Sequence, residues 1–381
     1  MNSFTGVELF LFAAAAFYSF VVLSLAVGIG RLRYPLNLEK PFVSVIVAAR
    51  NEERTIKKLL EHLIRQDYSS LELVIVNDRS TDRTAEIIRE FQTSHPAIKV
   101  VDITTTSREM PAKKHALEQG IAVSKGQILC FTDADCAPPP RWISSLVSAF
   151  DQNVGLVAGY SPYTLGPEGL QWTPFLKIFH NFIEYEEFKG ATWAASSIGL
   201  KRAWLCTGRS LAYRRVVFSE VGGFEKVKHS ISGDDDLFLQ LVRSTTRWQI
   251  RYVTNPESFV PTDPPRTFRD FIQQRTRHFS AGKFFPAEMK VFFFAFHASN
   301  LLVFISFIEA LASGRSWHAY VPFITKCAVD SILFFRVARL FRTLDFAPSF
   351  LLYEFLYILY NSFIGPIGIV AKFTWKPEDN R

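Results

Sequence analysis

Long apolar runs lie at both ends of this chain, and the charged residues concentrate between them. Residues 7–30 are almost unbroken in their apolar character, and they suffice to cross a bilayer core that needs roughly 20 helical residues. Three further apolar runs follow the charged region, at residues 291–312, 319–335 and 350–373. This pattern predicts a domain at residues 40–280 held between membrane segments at 1–33 and 281–373, with a tail at 374–381.

The basic residues that flank these runs predict their orientation. No Lys or Arg precedes the first run, whereas Arg31, Arg33 and Lys40 follow it, which favours a retained anchor over a cleaved signal. Because the basic side is normally cytoplasmic, we expect a multi-pass protein of the inner (plasma) membrane with its middle domain in the cytoplasm. Gly365 and Pro366 can break the last run, so a re-entrant or interfacial segment is the alternative there.

Two opposite charges lie within the run at residues 319–335. Lys326 and Asp330 are four residues apart, so they share one face of a helix. Charges inside a membrane are candidates for function. A pair that neutralises itself is the simpler interpretation.

Strand and helix patterns alternate through the first half of the middle domain. The runs predicted as strands are residues 42–49, 71–76, 98–103 and 127–131. Helical spacing appears between them, beginning with the stripe Ile56, Leu59, Leu60, Leu63 and Ile64. This alternation predicts an α/β fold with a doubly wound, mostly parallel sheet. Asn51 is placed to cap the first helix.

Carboxylates follow two of the predicted strands. Asp78 ends the second strand, and Asp133 and Asp135 follow the fourth. The carboxyl ends of parallel strands meet at the edge where open α/β sheets bind ligands. Two hard oxygen ligands at this edge suit Mg²⁺ or Mn²⁺ together with substrate phosphates. A simple polar turn at Asp133 and Asp135, and a helix cap at Asp78, are the alternatives.

The charge and cysteine content narrow the range of partners. The net charge is +7, but much of the basic excess flanks apolar runs, where it sets topology and meets anionic lipid. With no base-stacking motif and no basic arm, we expect no nucleic-acid partner. The four cysteines form no Cys-x-x-Cys pair, which fits a reduced, cytoplasmic domain.

Several motifs in register give the chain a resemblance to a known family. They include Val-Ser-Val-Ile-Val-Ala-Ala-Arg-Asn-Glu-Glu, Val-Ile-Val-Asn-Asp-Arg-Ser-Thr-Asp, Phe-Thr-Asp-Ala-Asp-Cys, Val-Gly-Gly-Phe and Gly-Asp-Asp-Asp. In this order and spacing they resemble the family 2 glycosyltransferases with a GT-A fold, over roughly residues 40–280. Among these, the chain is similar to membrane-bound enzymes of the ceramide glucosyltransferase-like and bacterial polytopic types.

The resemblance implies a nucleoside-diphosphate sugar as donor, with UDP-sugars foremost. It implies Mg²⁺ or Mn²⁺ at Asp133 and Asp135. The donor-binding residues that it implies are Ala49, Arg50, Asn51, Glu52, Asp78, Lys113, Asp133 and Gln274. For Lys113 and its neighbour Lys114, a solvated helix start is the alternative.

The acidic stretch Gly233-Asp234-Asp235-Asp236 occupies the position that supplies the general base in the family. Three adjacent carboxylates repel one another, which raises their proton affinity. Likeness to the Gly-Asp-Asp form of the motif favours Asp235. Shifting the alignment with the family motif by one residue favours Asp234 instead. The sequence leaves both residues open as the general base.

Residues 273–278 resemble the Gln-x-x-Arg-Trp element of membrane-bound synthases, which implies that Arg277 lies near the departing diphosphate. Here His278 replaces the final Trp, which puts in doubt an acceptor-stacking role and, with it, processive polymerisation. A basic amphipathic helix on the membrane surface is the alternative interpretation of this segment.

Together these features predict a membrane-bound, inverting glycosyltransferase of the hexosyltransferase type. Its acceptor would be a hydroxyl of a lipid, a lipid-linked sugar or a glycan. The alternatives are a processive polysaccharide synthase, a non-catalytic membrane scaffold and a metal-dependent nucleotidyltransferase.

Overall fold

A seven-stranded sheet forms the centre of the molecule, in the order β3-β2-β1-β4-β6-β5-β7. The computed structural model describes residues 6–164, 174–265 and 267–370, so the tail predicted at 374–381 and the end of the last apolar run lie outside the described residues. The strands are β1 (Val43–Ala49), β2 (Leu71–Asp78), β3 (Ile98–Ile103), β4 (Ile128–Phe131), β5 (Val154–Ala158), β6 (Leu211–Arg214) and β7 (Gln249–Tyr252).

The pairing of the strands makes the sheet mixed. Strands β1 to β4 pair in parallel, as the alternating pattern predicts. Strand β6 runs antiparallel to both β4 and β5, and β7 pairs in parallel with β5. The four parallel strands begin within one residue of their predicted starts, and β2 continues two residues further, so that it includes Asp78.

Twelve helices surround this sheet within the described residues. They are α1 (Gly6–Gly30), α2 (Ile56–Leu63), α3 (Thr84–Ser94), α4 (Ala112–Val123), α5 (Trp142–Val147), α6 (Pro174–Gly199), α7 (Arg215–Val221), α8 (Asp236–Thr245), α9 (Phe268–Ser280), α10 (Ala287–Ala312), α11 (Val321–Phe341) and α12 (Phe350–Val370).

Each face of the sheet is covered by its own hydrophobic core, because successive side chains of a strand point to opposite faces. Alternate residues of β1 such as Val45 and Val47 pack with α2 and α5 on one face. Ile46 and Val76 pack on the other face, with α4, α6 and α8. This second core continues without interruption into α1, α10, α11 and α12, so the sheet and the apolar helices share one interior.

Helices α1 and α6 cross with their backbones in close contact. A Cβ atom placed on Gly199 would lie 2.0 Å from the carbonyl oxygen of Gly28, and a Cβ on Gly28 would lie 2.2 Å from that of Ser196. Only glycine fits at both positions, so α1 docks on the domain at a fixed point.

Buried polar contacts join the terminal helices to one another and to α6. The hydroxyl of Tyr18 on α1 donates to Asp330 at 2.7 Å, and Lys326 donates to the same carboxylate at 2.5 Å. The self-neutralising pair predicted in this run is therefore present. On α6, Lys189 donates to Glu354 of α12 at 2.6 Å.

Within the described residues, three segments are long and apolar enough to cross a membrane: Gly6–Gly30, Ala287–Ala312 and Leu344–Ile367. They correspond to the first, second and fourth runs of the sequence pattern. The run predicted at 319–335 lies in α11, which is not among these segments. Four charged residues lie along this helix: Lys326, Asp330, Arg336 and Arg339.

Candidate active site

The turn after β4 holds two carboxylates at the centre of the sheet edge. Strand β4 lies between β1 and β6, and Asp133 and Asp135 follow it directly. The turn is fixed from the opposite side, because Ala137 N–H donates to the carbonyl of Pro261 at 2.9 Å and Thr262 Oγ1 donates to that of Asp135 at 3.3 Å. The two side chains thus project from a rigid support.

Lys113, at the start of α4, joins this turn to the acidic stretch. Its Nζ lies 3.0 Å from Asp133 and 3.0 Å from Asp234. Burial lowers the pKa of Lys113, but the carboxylates of Asp133 and Asp234 outweigh burial and hold that pKa above its usual value. The sequence leaves open a solvated helix start for Lys113, whereas this side chain is mostly buried.

A narrow cleft opens around this ammonium group. Thr132 and Asp133 line it from the strand end, and Gly208 and Asp234 line it from the opposite wall. Residues from β4, α4 and the acidic stretch therefore face one space.

The proton affinity of Asp135 is raised. Burial, the neighbouring Asp133 and the carboxylate of Glu52 together raise the pKa of Asp135 to about 6, while Arg209 opposes them. Crowded negative charge of this kind is relieved when a cation binds. The two oxygen-bearing side chains and the raised pKa of Asp135 fit a divalent cation at Asp133 and Asp135.

The outer part of the sheet edge consists of two loops that bind each other. Asn51 Oδ1 accepts from Thr81 N–H at 2.8 Å, and Glu52 N–H donates to Thr84 Oγ1 at 2.7 Å. The prediction that Asn51 caps the following helix is wrong. Helix α2 begins only at Ile56, and Asn51 has a positive φ of 52°, so its side chain reaches the neighbouring loop instead.

Asp78 is buried at the end of β2 and is bound by arginines. It accepts from Arg79 Nε at 2.8 Å, and Arg50 Nη1 lies 4.0 Å away. The alternative role as a helix cap is excluded, since Asp82 is the residue that accepts from the first amide of α3, at 3.0 Å. Ala49 is buried at the end of β1, next to these groups.

The acidic stretch divides its three carboxylates between different partners. Asp235 accepts from Asp236 N–H at 2.7 Å and from Gly208 N–H at 2.9 Å, and it is the N-cap of α8. Asp236 accepts from Cys206 N–H at 2.7 Å. Asp234 instead points toward Lys113 and the cleft.

Their proton affinities differ accordingly. Burial raises the pKa of Asp235, and the adjacent Asp234 raises it further. Burial, followed by Asp235, raises the pKa of Asp236 well above its usual value. For Asp234, burial alone would raise the pKa, but the ammonium groups of Lys113 and Lys114 help to lower it below its usual value.

Helix α9 supplies the other predicted residues, at one side of the site. Gln274 Oε1 accepts from the hydroxyl of Tyr163 at 3.0 Å, and Arg277 Nη2 lies 3.4 Å from His278 Nε2. Burial lowers the pKa of His278 well below its usual value, and the cations Arg277, Arg275, Arg209 and Lys113 lower it further. No contact joins Gln274 or Arg277 directly to Asp133 among the described hydrogen bonds and ion pairs.

The sequence did not identify a group of buried charges behind Asp135. Glu187 of α6 binds both Arg209 at 2.5 Å and Arg275 at 3.1 Å, and the ring of Tyr163 lies beside both guanidinium groups. Arg209 is the cation that opposes the raised pKa of Asp135. These partners are far apart in sequence, and no spacing pattern connects them.

Comparison with known proteins extends this picture. A family model described as Glycosyl transferase family 2 matches residues 44–222. "Probable glycosyltransferase YdaM" of Bacillus subtilis is 29% identical over 243 residues, which are 63% of this chain and 54% of that protein. "Beta-monoglucosyldiacylglycerol synthase" of Nostoc sp. is 33% identical over 120 residues, which are 31% of this chain and 25% of that protein. The chain spans about half, or less, of the length of these curated relatives.

A solved structure shares the architecture over nearly the whole chain. It is the mannosyltransferase PcManGT from Pyrobaculum calidifontis, determined in complex with GDP-Man and Mn²⁺. The two share 19% sequence identity and a TM-score of 0.53, over 93% of this chain and 98% of the other. The family model therefore identifies residues 44–222 as a glycosyl transferase family 2 segment, and the sheet that contains them has the GT-A fold.

Proposed function

We propose that this protein is a membrane-bound, inverting glycosyltransferase that moves a sugar from a nucleoside-diphosphate sugar to an acceptor hydroxyl. One observation supports this most directly. The ammonium of Lys113 lies 3.0 Å from both Asp133, on the donor side, and Asp234, on the acidic stretch. A diphosphate group and an acceptor hydroxyl bound in this cleft would therefore lie next to each other.

The donor nucleotide would occupy the edge formed by the loops after β1 and β2. Asp78 and Arg50 lie there as a buried charge pair, and Asn51 and Glu52 fix the backbone of the two loops against each other. Such a preformed edge lowers the cost of ordering a ligand. We propose that a UDP-sugar binds here.

Asp133 and Asp135 would hold a Mg²⁺ or Mn²⁺ ion together with the diphosphate. Such an ion neutralises the phosphate charge and so makes the nucleoside diphosphate a better leaving group. Lys113 contributes a further positive charge at the same place. The chain has no Gly-rich phosphate loop in its sequence, so these charges carry most of the phosphate recognition.

Asp234 is the residue that we propose as general base. It faces the cleft, whereas both carboxylate oxygens of Asp235 already accept backbone N–H groups. Geometry takes precedence over pKa in choosing a base. Asp234 accepts the hydroxyl proton as the acceptor oxygen attacks the anomeric carbon. The bond from that carbon to the diphosphate oxygen breaks on the opposite face, so the configuration inverts.

Helix α9 would assist the departure of the diphosphate. Arg277 is its candidate for pairing with phosphate oxygens, since a guanidinium binds them two at a time. Arg275 forms ion pairs with Glu186 and Glu187 and so holds the helix against α6. Gln274 is oriented by Tyr163 toward the same side.

The acceptor that we propose is a lipid or a lipid-linked sugar. Three segments have the length and composition of membrane spans, and they share a hydrophobic core with the sheet, so the cleft would lie close to a bilayer. A relative named as a beta-monoglucosyldiacylglycerol synthase matches part of the chain. Catalysis would take place on the cytoplasmic face of the inner membrane, where basic residues flank the spans.

Nucleotide release by the detergent-purified protein tests this proposal. The assay would combine UDP-, GDP-, dTDP- and CMP-sugars with Mg²⁺ or Mn²⁺ and a total lipid extract. We expect metal-dependent release of one nucleoside diphosphate together with a single-sugar glycolipid. Asp133→Asn should lower the rate at least about 100-fold, whereas the exposed Asp263→Asn should retain it.

Other products would identify the alternatives. Release of pyrophosphate would indicate a nucleotidyltransferase, and long polymers after one pulse of donor would indicate a processive synthase. If no nucleotide were released from any donor in the presence of lipid, this would contradict a transferase and favour a scaffold.

A further inference from the structure

Lys114 is a buried lysine that the proposed reaction does not use. It follows Lys113 on α4, but its side chain points away from the cleft and has no exposed surface. Its Nζ donates to the carbonyl of Ser230 at 2.5 Å and to that of Ser232 at 2.8 Å. A charged group is rarely buried completely unless it is bound to specific partners.

Both of these carbonyls belong to the segment that leads into the acidic stretch. Gly233 follows with a positive φ of 84°, and a Cβ there would lie 2.6 Å from Cγ of Leu237. Asp234 comes next and points into the cleft. The ammonium therefore binds the backbone two and four residues before the proposed base.

Helix α4 holds this segment at three places. Lys113 binds Asp234, Lys114 binds the two carbonyls, and Glu118 accepts from Phe224 N–H at 3.3 Å. Three side chains of one helix thus contact a stretch of chain that has little regular structure of its own. Lys113 binds a side chain, whereas Lys114 and Glu118 bind backbone groups, and Lys114 binds two of them.

The electrostatic surroundings support a charged Lys114. Burial lowers its pKa to about 8, and Lys113 lowers it as well, while Asp234 and Asp235 oppose this. The ammonium form therefore predominates at neutral pH. It contributes a positive charge next to the acidic stretch with its three adjacent carboxylates.

We propose that Lys114 is a positioning residue for sugar transfer, which binds the backbone at residues 230–232 and thereby fixes the place of Asp234 in the cleft. This inference rests on the proposed function, because it assigns a purpose to the position of the general base. A lysine that merely filled the core could be replaced by methionine without a catalytic effect.

Two variants separate the charge of Lys114 from its hydrogen bonds. Lys114→Met has a similar length but leaves the carbonyls of Ser230 and Ser232 without a donor. Lys114→Gln retains a donor without the charge. Lys125→Met, at an exposed position just beyond the same helix, is the matched control.

Hydrogen exchange is the first measurement, since it needs no substrate. In Lys114→Met we expect amides in residues 228–238 to exchange at least about tenfold faster, while the amides of β4 are unchanged. The Gln variant should lie between the Met variant and the wild type. This measurement tests the anchoring of the segment even if the assay for sugar transfer fails.

Steady-state kinetics is the second measurement. We expect kcat to fall about 100-fold in Lys114→Met, as for a misplacement of about 1 Å, with the KM for the donor within twofold and the melting temperature measured in parallel. The Gln variant should recover part of kcat. If Lys114→Met merely contained less folded protein, the two variants would have the same kcat once rates were divided by the amount of folded protein.

Several outcomes would overturn the proposal. The first is a kcat within threefold of the wild type in both Lys114 variants. The second is an unchanged hydrogen-exchange rate at residues 228–238 in Lys114→Met. The third is a loss of kcat in Lys125→Met equal to that in Lys114→Met. Failure of both Lys114 variants to fold would also overturn it, because Lys114 would then stabilise the whole domain. Absence of nucleotide release from the wild type would instead contradict the proposed function itself.

Discussion

The ammonium of Lys113 lies 3.0 Å from a carboxylate oxygen of Asp133, at the end of the fourth strand. It lies equally close to Asp234, which comes about a hundred residues later in the chain. One cation thus joins the side of the cleft proposed for the donor to the side proposed for the acceptor.

Replacing Lys113 by methionine removes this charge while keeping most of the side-chain volume. We expect kcat/KM for the donor to fall about 10-fold to 100-fold, because charge-assisted hydrogen bonds contribute about 1.5–3 kcal/mol. Initial rates of nucleoside diphosphate release measure the change. The exposed Lys57→Met is the control and should stay within twofold of the wild type. Equal rates for the Lys113 variant and the wild type would contradict the role at the diphosphate.

Asp234 and Asp235 should respond differently to substitution. Asp234→Asn keeps the shape of the side chain but removes the base, so we expect kcat to fall about 10²-fold to 10⁴-fold. Asp235→Ala removes the cap of α8, so we expect a loss of about 0.5–2 kcal/mol in the free energy of unfolding.

Parallel measurements of kcat and of thermal unfolding in detergent distinguish these two effects. The reverse result, with a normal kcat in Asp234→Asn and an inactive but stable Asp235 variant, would assign the base to Asp235 instead.

Asp135 should make the stability of the metal-free protein depend on pH. Its pKa of about 6 in the folded protein lies above the value of about 3.9 in an unfolded chain. The contribution of Asp135 to stability is therefore fully present below about pH 4 and is lost as the pH rises through about 6. Because a two-unit shift corresponds to roughly 3 kcal/mol at most, Asp135→Asn should raise the stability of the metal-free protein at pH 7.5.

Thermal unfolding in the presence of a chelator, between pH 4 and pH 8, tests this expectation. The wild type should lose more stability across that range than the Asn variant does. The exposed Asp263→Asn should behave like the wild type. An Asp135→Asn variant that melts below the wild type at pH 7.5 would show that the carboxylate is stabilising there.

The crossing of α1 and α6 predicts opposite effects at two glycines of one helix. A Cβ on Gly199 would lie 2.0 Å from the carbonyl oxygen of Gly28, so Gly199→Val should cost about 1–3 kcal/mol or more. Around Gly190 nothing lies within 4 Å of an added Cβ, so Gly190→Ala should be neutral or stabilising by up to about 1 kcal/mol. Melting temperatures in one detergent compare them, and equal values would contradict the close crossing.

The sequence predicts the features whose causes are local. The parallel strands are continuous β-branched or apolar runs, and Asp78, Asp133 and Asp135 lie at or directly after strand ends, so both the sheet edge and its carboxylates could be predicted. Strand β6 is only four residues long, and it pairs with strands far away in sequence.

Contacts between distant segments could not be predicted in the same way. Glu187 binds two arginines, Arg209 and Arg275, that a pattern along the chain does not link to it. The prediction for Asn51 failed for a related reason. The side chain of Asn51 accepts a hydrogen bond from Thr81, 30 residues later in the chain, instead of capping the helix that follows it.

Because the sheet and the terminal helices share one hydrophobic core, there is no boundary at which the catalytic domain could be separated and fold alone. A protein shortened to residues 40–280 would expose the side of α6 that α1 covers, and it would leave Lys189 without Glu354. Unfolding of the terminal apolar helices and of the cleft should therefore be one cooperative transition. A bilayer around α1 would then also affect the temperature at which the active site is lost.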